Sequence, residues 1–274
     1  MMCSPKLILN EIVIMILKTG QHVVFFAVFV FLSFFVGSGA GVAQNAYPDL
    51  LDEDVTEFDY LDKDYLNAEA DLVIRDPLEP MNRVFFEFND VLYVWVLKPV
   101  TNVYMWFLPL ELRQAFGNFF LNLSMPVRLL NSLLQGDLEK SGIVLERFLI
   151  NSTLGVYGFA DIADVEFGIK RKRADFGQTL GKWGLGEGIY FCWPVFGPSN
   201  VRDTVGLVVD SYSHPVPYLL DNSTINTTYF TTNRVNSLSL NPDAYEDLKR
   251  YSVDPYVASR QAYYEYRQAI VTHH

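Results

Sequence analysis

Proline limits the length of the regular elements that this chain can form. The proline ring fixes φ and removes a backbone donor, so helices usually end at or before it. Pro99 and Pro109 bracket only nine residues, 100–108, which as a helix would be about 14 Å long. That is half of a hydrocarbon core of about 30 Å. This segment therefore cannot cross a membrane alone. Its Trp106 and Phe107 suit a membrane interface, and a buried core position suits them equally.

The remaining pattern predicts a mainly α fold, a bundle of short amphipathic helices with glycine-rich loops and little strand. An Asp-Pro pair, Asp76-Pro77, places a capping residue and N1 proline at the start of the first helix. Glycines crowd residues 155–197 and predict loops, with one strand at 189–193. Helices are predicted at 77–97, 110–123, 126–135, 138–154, 176–182, 198–211, 224–238, 242–251 and 255–271, with Asp137 as the cap of the helix at 138–154.

The N-terminus has the three parts of a secretory signal. Lys18 and His22 precede an apolar run, VVFFAVFVFLSFFV at 23–36, and small residues follow up to Ala43. The run has 14 residues, fewer than the roughly 20 that span a bilayer. We therefore expect residues 1–43 to be a signal peptide cleaved after Ala43. The alternative is a retained anchor.

A strongly acidic segment follows the signal. Residues 49–71 hold ten acidic side chains against Lys63 alone. A run of one sign repels itself and is usually a solvated tail, although a functional acidic tether is the other interpretation. We expect residues 44–74 to be a disordered linker and residues 75–271 to be the folded domain. The acidic residues are Asp49, Asp52, Glu53, Asp54, Glu57, Asp59, Asp62, Asp64, Glu69 and Asp71.

Charge and residue usage exclude several classes of function. The net charge of −11 argues against nucleic acid as a partner. There is no Gly-x-Ser-x-Gly elbow, and His214 is the only histidine between the signal and the C-terminal pair. No Cys, His and carboxylate set has the spacing of a zinc site. The sequence therefore predicts neither an enzyme nor a metal or cofactor site.

Eight sequence motifs occur in an order that closely resembles the MlaA/VacJ family, a component of the system that maintains outer-membrane lipid asymmetry. Single motifs are not specific, but their succession over residues 75–267 is. The motifs are DPLEPMNR at 76–83, FEFN at 86–89, GNF at 117–119, NSLLQGD at 131–137, RFLINSTLG at 147–155, DFGQTLG at 175–181, GPSNVRD at 197–203 and DPY at 254–256.

The resemblance implies a ring-like helical protein in the inner leaflet of the outer membrane, on its periplasmic face. Such a protein takes phospholipid misplaced in the outer leaflet through an amphipathic pore and passes it to a soluble periplasmic carrier. Family members associate with trimeric porins. The family usually carries a lipid-attachment box, whereas Cys3 here precedes the apolar run. Aromatic helices would then have to hold the membrane. A porin-associated structural protein without transport is the alternative, and a phospholipid hydrolase is a third class.

A passive lipid conduit must shield acyl tails and also offer polar groups to the headgroup. Residues 110–123 suit this, because one helical face carries Gln114, Asn118 and Asn122 and would point inward. Another face carries Phe116, Phe119 and Phe120 and would point outward. We hypothesise that the polar face lines or gates the passage; an ordinary water-facing stripe is the other interpretation. The lipid-path candidates are Asn82, Asn89, Gln114, Asn118 and Asn122.

One basic cluster, Lys170-Arg171-Lys172-Arg173, interrupts the glycine-rich region. Four consecutive cations can bind lipid phosphates, and we name these residues as headgroup candidates. A solvated loop is the alternative, because charge runs usually face water.

Overall fold

The computed structural model describes residue 74, residues 76–219 and residues 223–272. The predicted signal peptide and nearly all of the acidic linker lie outside the described residues. The elements are α1 Glu79–Leu92, a π-helical turn Tyr93–Leu97, α2 Lys98–Phe107, α3 Leu110–Leu134, α4 Leu138–Thr153, α5 Ile162–Val165, α6 Phe176–Lys182, β1 Tyr190–Trp193, β2 Gly197–Asn200, α7 Val201–Ser213, α8 Val216–Leu219, α9 Ser223–Leu240, α10 Ala244–Tyr251 and α11 Pro255–Thr272.

The prediction of a mainly α fold with little strand is confirmed. The two described strands form an antiparallel hairpin in which Tyr190 pairs with Asn200 and Trp193 with Gly197. The first helix does not begin on the predicted cap Asp76, because Leu78 is the N-cap of α1 and no side chain caps it. At two other helix starts a side chain does cap: the predicted cap Asp137 accepts from Lys140 N at the start of α4, and Asp175 accepts from Gln178 N at the start of α6. Local capping chemistry therefore places these helix starts correctly.

The prediction that Pro99 ends the first helix is wrong. The helix continues from Glu79 to Phe107, because the π-helical turn precedes the proline and Lys98 N donates to Tyr93 O, five residues back. Such a turn changes the local hydrogen-bond register, which lets the helix continue through a position where proline lacks a donor. The nine-residue segment is thus the end of a long helical arm.

Two further helix boundaries differ from the predictions. Pro126 does not open a helix but lies inside α3, which runs from Leu110 to Leu134. An interior proline costs about 3 kcal/mol, and packing of α3 against α4, α6 and α9 offsets this cost. Residues 198–200 form β2 instead of the first turn of a helix, and Asn200 caps α7 by accepting from Asp203 N.

Two helical arms meet at a sharp elbow after Phe107. Within the described part of the chain no single helix is long and apolar enough to cross a membrane, whereas Glu79–Phe107 and Leu110–Leu134, bent by 114°, reach that length and composition as a pair. The second arm packs against α4 and α9, and α9 also packs against α2. α9 therefore braces the elbow from the inside.

Two small aromatic clusters form the apolar core among the described residues. One joins α1, the hairpin and α11 through Phe86, Tyr190, Cys192 and Tyr256. The other joins α3, α8 and α9 through Phe120, Val216, Tyr229 and Phe230. A cavity lies between the elements that carry these clusters.

A cavity with an apolar wall and a basic side

The candidate functional site is a cavity of about 560 Å³ bordered by α3, the 161–175 loop, the hairpin, α7, α9 and α11. Its wall is mixed in character. The apolar lining includes Phe120, Leu121, Val127, Leu207, Phe230 and Leu240. The charged lining comprises Arg128, Lys170, Arg171, Arg173, Arg234, Arg267, Asp161, Asp164, Asp175, Asp203 and Asp210.

Asp161 positions the basic side of the cavity. Its carboxylate accepts from the buried Arg147 guanidinium at 2.7 Å and from the Arg171 guanidinium at 2.7 Å. Burial alone would raise the pKa of Asp161, but the hydrogen bond and charge of Arg171 outweigh burial and lower it. Arg171 also donates to Asn118 Oδ1 at 2.8 Å. The loop cation is thus joined to the polar face of α3.

A second buried network joins α6, α7 and α11. Arg267, 8% exposed, forms ion pairs of 2.7 Å with both Asp175 and Asp203. Burial opposes the charge of Arg267, but these two carboxylates outweigh burial and hold its pKa well above the usual value. Arg267 in turn holds the pKa of Asp175 at about 2 against the effect of burial. Since Asp175 caps α6 and Asp203 lies in the first turn of α7, Arg267 fixes both helix starts.

Asp210 links α7 to α3 beneath the same cavity. Its carboxylate oxygens accept from Asn131 Nδ2 at 2.7 Å and from Phe176 N at 2.9 Å. Burial, followed by the nearby Asp175 charge, raises the pKa of Asp210 to about 7. This carboxyl group can therefore gain or lose a proton near neutral pH.

Five of the nine sequence-predicted site residues line the cavity. Gln114 and Asn118 line it from α3, and Lys170, Arg171 and Arg173 line it from the loop. Lys172 is half-buried in the same loop but outside the lining. The structure thus brings three of the four basic residues and two of the three polar residues of α3 together.

Asn122 lies outside the cavity lining. It is 4% exposed, donates to Ser152 Oγ at 2.9 Å and packs against Gly158. A side chain added at Gly158 would overlap the Asn122 amide. Asn122 therefore joins α3 to the end of α4.

Asn82 and Asn89 also lie outside the cavity lining, and they clamp the hairpin to α1. Asn82 donates to Tyr190 O at 3.3 Å and accepts from Cys192 N at 2.9 Å. Seven residues later on the same helical face, Asn89 donates to Trp193 O at 2.8 Å and accepts from Val195 N at 2.6 Å. The two amides therefore bind the hairpin backbone much as a neighbouring strand would.

The prediction that the α3 aromatic face points outward is wrong. Phe120 is 6% exposed in the second core cluster, and Phe116 and Phe119 pack against that cluster. Phe119 also stacks on Phe159 at 4.7 Å between ring centroids. These rings face the protein interior.

One exposed apolar stripe follows the first arm, where only Trp106 and Phe107 were predicted from the sequence to suit a membrane interface. Val84, Phe88, Val91 and Trp95 follow one another at spacings of three and four residues and are 45–76% exposed. Trp106 and Phe107 extend exposed apolar surface to the elbow at 79% and 69% exposure. We call Val84, Phe88, Val91 and Trp95 the α1 stripe. Its spacing is readable in the sequence as helical periodicity.

Buried polar side chains outnumber buried apolar ones among the described residues, 21 against 16. Soluble domains have the opposite distribution, with mostly apolar interiors and few buried charges. Large apolar patches on a protein surface mark contacts with membranes or partners. These features define a helical protein with a charged interior and a partly apolar exterior.

The chain belongs to the MlaA lipoprotein family, whose model matches residues 74–270. It is 32% identical over 194 residues to the intermembrane phospholipid transport system lipoprotein MlaA of Escherichia coli K12, covering 69% of this chain and 76% of that protein. The Haemophilus influenzae protein of the same name is 30% identical over 200 residues, with coverage of 69% and 76%. An uncharacterised protein of Rickettsia felis is 30% identical over 222 residues, with coverage of 78% and 88%.

A solved structure agrees with this assignment. It comes from work on the structural basis for maintenance of bacterial outer membrane lipid asymmetry, and it matches with a TM-score of 0.64 and 30% identity. The match covers 72% of this chain and all of that chain. The family resemblance stated from the sequence motifs is thereby confirmed.

Proposed function

We propose that this protein is an outer-membrane component of intermembrane phospholipid transport. It removes mislocalised phospholipid from the outer leaflet through the cavity and passes it to a periplasmic carrier. The observation that carries this proposal is a cavity with a basic side and an apolar wall in a chain of the MlaA family. The names of the Escherichia coli and Haemophilus influenzae relatives support the substrate class.

The mixed wall meets the physical demands of lipid transfer. Exposing two acyl chains to water costs about 0.8 kcal/mol per methylene, or tens of kcal/mol in total. A charged headgroup in bare hydrocarbon is also strongly unfavourable. Phe120, Leu207 and Phe230 offer apolar surface to the tails. The basic loop in the same lining offers cations to the phosphate.

Within this proposal, the headgroup meets Lys170, Arg171 and Arg173, and Gln114 and Asn118 line the path beside them. Arg171 is 18% exposed at its side chain and its orientation is fixed by two bonded partners, Asp161 and Asn118. Such pre-orientation lowers the entropic cost of binding an anion. Asn82, Asn89 and Asn122 hold the elements around this site from outside the lining. Lys172 belongs to the same basic loop.

The α1 stripe suits a position in the inner leaflet of the outer membrane. Each fully buried aromatic or branched apolar side chain contributes about 1.5–3 kcal/mol. Trp106 at the elbow is of a type enriched at membrane interfaces. The family resemblance adds trimeric porins as partners at this position.

The cavity does not favour catalysis. Burial lowers the pKa of His214 to about 4, so its ring is neutral, and its Nδ1 accepts from Val216 N at 3.3 Å. Ser124 and Ser211, which share the lining, each donate to a carbonyl of their own helix. We therefore propose transport without hydrolysis.

A reconstituted transfer assay tests the proposal. Vesicles carrying fluorescent phospholipid and the full chain are mixed with acceptor vesicles, and Arg171→Gln with Asn118→Leu is compared with wild type. We expect at least a ten-fold slower transfer for the double variant, because the cavity loses a charge and a polar group. Arg83→Gln, which alters a half-exposed ion pair with Asp254, is the matched control.

Different outcomes separate the competing functions. An unchanged rate of phospholipid transfer by the double variant would show that lipid does not pass through the cavity. Loss of porin association with normal lipid clearance would favour a structural role. Appearance of lysophospholipid or free fatty acid would instead require an enzyme.

A further inference from the structure

The cavity lining contains one polar side chain whose hydrogen bonding is incomplete. His214 follows α7 as its C-cap and lines the cavity at 2% exposure. The centroid of its ring lies 5.7 Å from those of Tyr229 and Phe230. These two rings belong to the second core cluster, together with Phe120 and Val216. His214 therefore places an imidazole in mainly aromatic surroundings.

The bond made by one ring nitrogen of His214 fixes the proton on the other. Nδ1 accepts from Val216 N at 3.3 Å, so Nδ1 carries no proton. Burial lowers the pKa of His214 to about 4 and keeps the ring neutral near neutral pH. A neutral imidazole has one donor and one acceptor nitrogen. The proton therefore lies on Nε2, which makes Nε2 a hydrogen-bond donor.

This donor lacks an acceptor among the described residues. Nε2 of His214 is buried, and no group in the described part of the chain bonds to it. A buried donor without an acceptor destabilises a protein, and for this reason such groups are rare in folded proteins. Because His214 lines the cavity, a molecule bound in the cavity can supply the acceptor.

A glycerophospholipid has an acceptor of the matching kind. Its two ester carbonyl oxygens lie between the charged headgroup and the acyl chains, and they accept hydrogen bonds without carrying a charge. A neutral donor among aromatic rings suits such an oxygen, whereas the phosphate suits cations. The lining thus holds a group for each part of the lipid: Arg171 for the phosphate, His214 for an ester and Phe230 for the chains.

We propose that His214 Nε2 donates to an ester carbonyl oxygen of the phospholipid and so selects ester-linked lipids over their ether-linked analogues. This contact rests on the proposed function, because it lies in the same cavity. Nε2 is covered in the structure, so side chains of the wall shift when the lipid enters, as side chains at binding interfaces commonly do. Cations and aromatic rings cannot supply this selectivity, since ester and ether lipids can share both headgroup and chains.

Competition binding to the purified full chain in detergent tests the contact. A phosphatidylglycerol with a fluorescent acyl chain is bound first. Unlabelled dioleoyl phosphatidylglycerol, or its diether analogue with the same chain length and unsaturation, then displaces it. In wild type we expect the diester to bind about two- to ten-fold more tightly, as one neutral hydrogen bond allows. His214→Phe keeps an aromatic ring but no donor, and it should bind the two lipids equally.

Three further variants identify the donor. His214→Gln places an amide N–H near the position of Nε2 and should restore part of the preference. Tyr229→Phe removes a buried hydroxyl outside the cavity lining that bonds to no described group, and it should leave the preference unchanged. Arg171→Gln should weaken the binding of both lipids by the same factor, because they share a headgroup. The ratio of the two affinities is measured within each variant, so a general loss of stability does not alter it.

Each outcome decides a different claim. Equal displacement by the diester and the diether in wild type would overturn the ester contact and leave the proposed function standing. A preference that persists in His214→Phe would overturn the role of His214. A preference lost in Tyr229→Phe but kept in His214→Phe would assign the donor to the tyrosine. Failure of the wild type to retain any labelled phospholipid would overturn the proposed function and the ester contact together.

Discussion

The cavity region and the first helical arm distribute polarity in opposite ways. Around the cavity, Arg267, Asp175 and Asp203 are removed from most of the solvent and bind one another. Along the first arm, Phe88 and Trp95 face outward at 45% and 76% exposure. Buried ions need bonded partners, whereas exposed apolar side chains need an apolar environment. The difference shows that ion pairs within the protein stabilise its interior. The exposed apolar side chains of the first arm need a lipid or protein surface to cover them.

The largest effect is expected from the loss of Arg267, which tests whether the buried charges stabilise the interior. Arg267→Met leaves Asp175 and Asp203 buried without their cation, and breaking such a network costs about 3–5 kcal/mol. Denaturant unfolding in detergent measures this change. Arg83→Met, which removes a half-exposed pair, should cost no more than about 1 kcal/mol. Similar costs for both variants would contradict the assigned importance of the buried network.

Polar substitution of the α1 stripe tests whether this exposed apolar surface contacts a membrane. Phe88→Ser with Trp95→Ser should weaken vesicle binding about 100-fold or more, since each aromatic contributes about 1.5–3 kcal/mol on burial. Vesicle flotation measures the binding, and stability in detergent should change little. Tyr251→Ser, at a 77% exposed site away from the stripe, is the control. If Tyr251→Ser weakened vesicle binding as much as the double substitution does, the stripe would not be the membrane contact.

The close approach of α6 and α7 provides a further test of packing in the interior. A Cβ at Gly206 would overlap the backbone nitrogen of Gly177, so Gly206→Ala should destabilise the fold by about 1–3 kcal/mol. Gly142 is a helical glycine on α4 with nothing within 4 Å of an added Cβ. Gly142→Ala should therefore stabilise by about 0.5–1 kcal/mol. Thermal unfolding of both variants checks the sign of each change.

The pH dependence of stability tests two buried groups with opposite effects. Asp210 has a pKa of about 7 in the fold, so stability falls as pH rises from about 4 to 7. His214 has a pKa of about 4 in the fold and about 6.5 when exposed, so stability rises over about pH 4 to 6.5. In wild type the two slopes oppose each other.

Substitution separates these slopes. Relative to wild type, the stability of Asp210→Asn should rise between pH 5 and 6.5 and that of His214→Phe should fall, each by at most about 2 kcal/mol. Denaturant unfolding at several pH values measures the differences. Parallel profiles for wild type and both variants would show that neither group titrates as assigned.

Helix starts with a side-chain cap were predictable from the sequence, whereas starts marked only by proline at 126 and 198 and the long-range partners were not. Asp137 was identifiable as a cap, because a cap bonds within three residues. Arg267 gave no signal, since its partner Asp175 lies 92 residues away. The π-helical turn before Pro99 was equally invisible, because it depends on the helix continuing past the proline into contact with α9.

The candidate site was predictable in part. The basic cluster and Gln114 and Asn118 were selected by residue type and spacing, and the structure brings them to one cavity. Asn82 and Asn89 were selected on the same grounds but bind the hairpin backbone. An exposed amide and an amide that clamps a strand look alike in a sequence, because each is defined only by its partner.

By itself, the sequence determined the mainly helical class, the glycine-rich middle, the family and the charge asymmetry between residues 49–71 and the rest. These properties depend on local backbone chemistry, composition and motif order. The tertiary structure alone decided which faces lie inside, which asparagines line the cavity and which charges are paired. Those properties depend on contacts between residues far apart in the chain, and no local pattern specifies them.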